Sequence, residues 1–151
     1  MDRIDRRILR ELQKDGRLSN TELADKVGLT PSPCLRRVRQ LERDGVIRGY
    51  RALVDGAALG RGFQSFVTIV MRQEDQSTVA EFERRVAELP EVVEAHRLFG
   101  DPDYLLRVAV ADITAYERFY TDVLSGLPGI AQLTSHLAMK VVKPDHGLPI
   151  T

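Results

Sequence analysis

The hydrophobic period of this chain changes at Val46, and that change divides what the chain can fold into. Before it, apolar residues recur at steps of three and four; after it, they tend to alternate. A helical module followed by a sheet-forming one is the consequence. Ile4, Ile8 and Leu12, with Leu9 beside them, make one helical stripe that ends at Asp15-Gly16. Ser19-Asn-Thr-Glu22 has capping-box form, in which the serine and the glutamate satisfy each other's free amides. Leu23, Ala24 and Val27 supply the buried stripe of that helix, and Gly28 stops it. Thr30-Pro31 opens a third helix with a side-chain cap and a proline where no amide is needed. Leu35, Val38 and Leu41 are its expected apolar face, and Asp44-Gly45 its end.

Residues 46–55, VIRGYRALVD, read as a strand, and the Gly- and Ala-rich run 55–62 reads as a connector. Beyond it one unit occurs twice. FQSFVTIVMR (63–72) is a strand, Thr78-Val-Ala-Glu81 has capping-box form before a helix bearing Val79, Phe82, Val86 and Leu89, and VVEAHRLF (92–99) is a strand. YLLRVAV (104–110) follows, then a helix capped by Asp112 with Ile113, Tyr116, Phe119, Tyr120 and Val123, and a last strand over 130–142 after Pro128-Gly129. Two β-α-β units in tandem predict a ferredoxin-like sandwich, with four antiparallel strands under two helices. Two helices cover one sheet face, so Val67, Ile69, Leu106, Val108 and Leu137 are expected to need a second copy of the sheet.

The formal charge of zero hides a split. Residues 1–50 carry 12 basic and 8 acidic side chains, whereas residues 51–151 carry 10 and 14. This excludes a uniformly cationic chain and points nucleic acid toward the first third. No apolar run approaches the ~20 residues of a membrane helix. The opening MDRIDRRILRELQ lacks the apolar core of a signal peptide, and a lone Cys34 cannot form an internal disulfide. Both fit a cytoplasmic protein away from membranes. His96, His136 and His146 have no Cys or carboxylate at ligand spacing, and no phosphate loop or Gly-x-Ser-x-Gly occurs. Neither enzyme chemistry nor a resident metal or cofactor is expected.

The helices over 19–27 and 30–44, joined by Gly28-Leu29, have the dimensions of a helix-turn-helix. Away from the apolar face the third helix carries Ser32, Arg36, Arg37, Arg39, Gln40 and Arg43. Residues 30–51 hold six arginines against Glu42 and Asp44. Arginine's planar fork suits guanine edges and phosphate oxygens alike. A protein-docking module on a ligand-sensing enzyme regulator is the rival reading, but docking does not require that arginine excess.

The run VGLTPSPCLRRVRQLERDGVIRGYRALVD resembles the helix-turn-helix and following strand of the Lrp/AsnC family of bacterial regulators. The second half resembles that family's regulatory domain, so the resemblance spans nearly the whole chain. It implies an α+β fold: a winged-type helix-turn-helix over 1–54, a hinge over 55–62, a ferredoxin-like βαββαβ domain over 63–143 and a tail over 144–151. It further implies homodimers on pseudo-palindromic double-stranded DNA, assembling to an octamer. Thr30, Ser32, Pro33, Cys34, Arg36, Arg37, Arg39, Gln40 and Arg43 would form the DNA-contacting set. Arg37→Ala and Arg39→Ala are expected to fold and to lose operator affinity.

Phe99-Gly-Asp-Pro-Asp-Tyr resembles the family's Gly-Asp-x-Asp-Tyr loop, which implies an amino-acid effector site at a junction between dimers. Gly100 permits close backbone approach, and Asp101 or Asp103 can pair with an α-ammonium group. Tyr104 belongs to the same motif. Where the family often has Thr-x-Thr in its last strand, this chain has Leu133, Thr134 and Ser135. Leu98 and Leu133 would then form an apolar wall for a nonpolar side chain.

Overall fold

A computed structural model describes residues 1–72, 75–145 and 147–151. It divides the chain into two units, Met1–Leu53 with Val142–Thr151, and Val54–Val141. The final ten residues therefore return to the first unit, which their distance along the chain does not suggest.

In the first unit the α-helices are α1 (Arg3–Lys14), α2 (Asn20–Val27) and α3 (Pro31–Arg43). Asp2 caps α1 by accepting from the Ile4 and Asp5 amides, and the Asp5 carboxylate in turn accepts from the Asp2 amide. Ser19 and Glu22 form the expected box at α2. Gly28 ends α2 in the left-handed region at φ 75°, and Leu29 donates to the Ala24 carbonyl in a Schellman-type closure. That turn lets α2 and α3 share one core of Ile8, Leu23, Ala24, Val27, Cys34 and Leu41, with Ile4, Leu9, Leu12 and Val38 packed against it.

Three local expectations fail here. Thr30 is the N-cap of α3 but makes no side-chain cap bond. Leu35 is exposed, and Cys34 holds the inward place one residue earlier. Residues 46–55 contain no strand. A strand exists only as part of a ladder, and among the described residues none pairs with this segment.

The second unit contains β1 (Phe63–Met71), α4 (Gln76–Ala87), β2 (Val92–Arg97), β3 (Tyr104–Val110), α5 (Ile113–Asp122) and β4 (Ile130–Leu137). The sheet order is β2-β3-β1-β4, antiparallel throughout, as a ferredoxin-like sandwich requires. β4 stops at Leu137, short of the expected 142. Asp112 caps α5 as anticipated, but α4 is capped by Asp75, so Thr78 is its third residue and no Thr78–Glu81 box forms.

Val67, Ile69, Leu106 and Val108 are fully buried, in one core with Phe82, Val86, Tyr116 and Phe119 of the helices. The expectation that they need a second sheet is therefore wrong for all four. They lie on the helix-covered face; only Leu137, 55% exposed, lacks cover. Alternation puts Phe66, Thr68 and Val70 of β1 and Leu105 and Arg107 of β3 on the opposite face.

Candidate DNA-reading helix and effector loop

α3 is held at its start and at its middle. The Asn20 side chain at the start of α2 donates to the Pro31 carbonyl at 2.8 Å, fixing where α3 begins. Arg37 Nη1 donates to Asp2 Oδ2 and Asp5 Oδ1, each at 2.8 Å, tying the middle of α3 to the start of α1. The Asp2 carboxyl is held below its ordinary range, first by the Asp5 amide and then by the Arg37 guanidinium. Neither Asn20 nor the two aspartates stood out in the sequence. The aspartate pair at positions 2 and 5 had a readable cap spacing, but its bond to Arg37 joins residues 35 and 32 positions apart.

The expected DNA-contacting set thus splits. Thr30, Ser32, Arg36, Arg39, Gln40 and Arg43 are exposed, and Pro33 is half-buried. Ser32, Arg36, Arg39 and Arg43 recur at i, i+4, i+7 and i+11 and share one side of the helix. Among the described residues none of these three arginines is paired with a carboxylate. Arg43 donates to Gln40, which itself donates to Asp44. Cys34 leaves the set: it is fully buried, and burial pushes its thiol upward. Arg37 is half-buried with its charge already paired, so its position serves the helix junction.

The loop between β2 and β3 is bound into the sheet. The Leu98 amide donates to the Asp103 carbonyl at 2.7 Å, and the Asp103 amide to the Ile69 carbonyl at 2.9 Å. The Asp103 carboxylate accepts from the Met71 amide at 2.6 Å. Tyr104 is 3% exposed, packs on the Phe82 ring and donates to Glu83 at 2.8 Å. Its hydroxyl is pushed up to about 12, first by burial and then by Glu83. Gly100, at φ 124°, and Asp101 remain exposed, as do Leu98 and Phe99.

The remaining expected effector residues lie elsewhere. Leu133 packs against the core, Ser135 bonds to the Tyr116 hydroxyl at 2.6 Å, and Thr134 points to the opposite face between them. Arg97, Tyr104, Ile69 and Leu133 occupy one row across the sheet. Leu98 follows one edge strand and Leu133 belongs to the other, about 14 Å away across three strand spacings. The apolar wall of Leu98 and Leu133 is therefore not formed within one chain. A cleft of about 500 Å³ lies between Gly60, Arg61, Val110, Ala115 and Arg118, away from all of these residues. No cluster of three metal-ligating side chains occurs among the described residues, and His146 lies outside them.

Two family models match the chain. Residues 1–48 match a winged helix-turn-helix DNA-binding domain, and residues 64–148 match the Lrp/AsnC ligand binding domain. The leucine-responsive regulatory proteins of Escherichia coli and Salmonella typhimurium are each 44% identical over 150 residues, covering 99% of this chain and 92% of theirs. A transcriptional regulator of Neisseria meningitidis solved in complex with L-Met has a TM-score of 0.94 at 37% identity, covering 99% of this chain and 96% of its own. An AsnC family transcriptional regulator of Agrobacterium tumefaciens has a TM-score of 0.92 at 44% identity, covering 99% and 97%. Helix-turn-helix, antiparallel sandwich and full-length likeness agree: the chain belongs to the Lrp/AsnC family of DNA-binding transcription regulators, not to an enzyme family.

Proposed function

We propose that homodimers of this protein read a pseudo-palindromic operator through the outward arc of α3, with Ser32, Arg36, Arg39 and Arg43 meeting bases and phosphates. The observation that carries this reading is that arc: three exposed arginines without carboxylate partners among the described residues, on a helix whose inward side, Cys34, Val38 and Leu41, is committed to the core. In a dimer, two such helices enter successive major grooves about one turn apart. The sheet face of Phe66, Thr68, Val70 and Leu105 is the surface on which a second copy packs, since alternation leaves it without helices. Dimers assemble further, to an octamer, in the cytoplasm; no helix of the described residues is long and apolar enough to cross a membrane.

The effector is an amino acid, as the L-Met complex of the Neisseria relative and the name of the leucine-responsive relatives suggest. Gly100 and Asp101 contribute to its site. Because Leu98 and Leu133 lie at opposite sheet edges, a pocket using both draws them from different copies. Such a ligand acts only through unequal affinity for the assembly or DNA-bound states. Genomic footprinting of the full-length protein with and without each amino acid tests this. Discrete protected sites whose occupancy responds to an amino acid are expected; uniform, sequence-independent protection would overturn it.

A further inference from the structure

Leu35 is the one large aliphatic side chain of α3 that the core does not use. Cys34, Val38 and Leu41 face inward, whereas Leu35 is 37% exposed and stands outside the core cluster. It follows Ser32 by three positions and precedes Arg39 by four, so it borders the outward arc on the side of those two residues. It is the fifth residue of the helix, within the N-terminal part that reaches base edges in a helix-turn-helix. In the major groove one group is apolar: the C5 methyl of thymine.

Resting on the assignment of α3 as the DNA-reading helix, we propose that Leu35 is a specificity-determining residue that packs against a thymine methyl in each operator half-site. The arginines around it supply phosphate attraction and guanine hydrogen bonds, which an A·T pair does not offer in the same form. Leu35 discriminates at a different base pair, by burying its side chain against a methyl that cytosine and both purines lack. Cys34 cannot take this part, because it is fully enclosed in the core.

The test uses the full-length protein and a duplex that it enriches from a randomised pool. Each thymine is replaced in turn by deoxyuridine, which removes the methyl and keeps every hydrogen bond. Wild type is expected to lose about fourfold in affinity at one thymine per half-site, the worth of one buried methyl, and about fifteenfold when both are replaced. Leu35→Ala binds the thymine duplex correspondingly less well and no longer distinguishes thymine from deoxyuridine there. Wild type indifferent to every replacement overturns the proposal without any variant. So does a Leu35→Ala protein, folded by circular dichroism, that keeps the full wild-type sensitivity, or one that binds DNA as wild type and fails only in assembly. If no duplex is enriched, the DNA-reading assignment fails first.

Discussion

Arg37 of α3 donates from one nitrogen, Nη1, to the carboxylates of both Asp2 and Asp5 at the head of α1, 2.8 Å from each. The Asp5 side chain is 16% exposed and that of Arg37 31%, so the junction is partly shielded from water. The same Asp2 also caps α1. One cluster therefore ends one helix and holds another.

Arg37→Ala should lower the stability of the protein measurably, since it leaves the Asp5 carboxylate, 16% exposed, without its partner. Asp5→Asn should act in the same direction through the same bond. Arg39→Ala, whose side chain has no carboxylate partner among the described residues, should leave stability within about 0.5 kcal/mol. Urea denaturation of the three variants checks this; equal stability of all three would remove the clasp.

Cys34→Ser should destabilise by about 1–3 kcal/mol, because it places a hydroxyl in a closed apolar site. The native thiol should be unreactive toward an aromatic disulfide reagent until denaturant is added. Rapid native labelling would return Cys34 to the surface.

The Asp75 carboxyl is held at about 2, against 3.8 for a free one, first by the Ser77 and Thr78 hydroxyls and then by the Thr78 amide. Its folded value is depressed, so its contribution to stability is complete above about pH 4 and is lost as pH falls toward 2. Asp75→Asn keeps a good cap without the titration. Melting temperature against pH should fall less steeply between 4 and 2 in the variant; parallel curves would contradict the assignment.

Tyr104→Phe should cost about 1 kcal/mol by removing the bond to Glu83 while leaving amino-acid affinity unchanged. Asp101→Ala should do the reverse. Calorimetry with the twenty amino acids, paired with thermal melts, separates the two; loss of binding in the tyrosine variant alone would restore Tyr104 to the effector site.

Sequence reasoning reached the helix-turn-helix and the βαββαβ order because caps, glycine turns and period changes are local signals. It failed where a choice between neighbours is settled by packing. Cys34 and Leu35 are adjacent and both apolar, and only the assembled core selects the smaller one. Phe66 and Val67 pose the same problem in β1, where an apolar residue on each face blurs the alternation. The stretch 46–55 has strand-forming residues, but composition cannot supply a ladder partner. In the effector motif, the bonds of Asp103 to Met71 and of Tyr104 to Glu83 could not be read from the sequence, because they close only in three dimensions.

The salt dependence of operator affinity tests the DNA-reading arc most directly, because each phosphate neutralised by the protein releases counterions. Wild type should weaken steeply as salt rises. Arg36→Ala, Arg39→Ala and Arg43→Ala should bind more weakly, with the slope reduced by about one for each phosphate left unneutralised. Arg37→Ala should bind more weakly while keeping the wild-type slope. If the three arc variants keep wild-type affinity and slope, or if Arg37→Ala alone flattens it, α3 does not meet DNA through the face described.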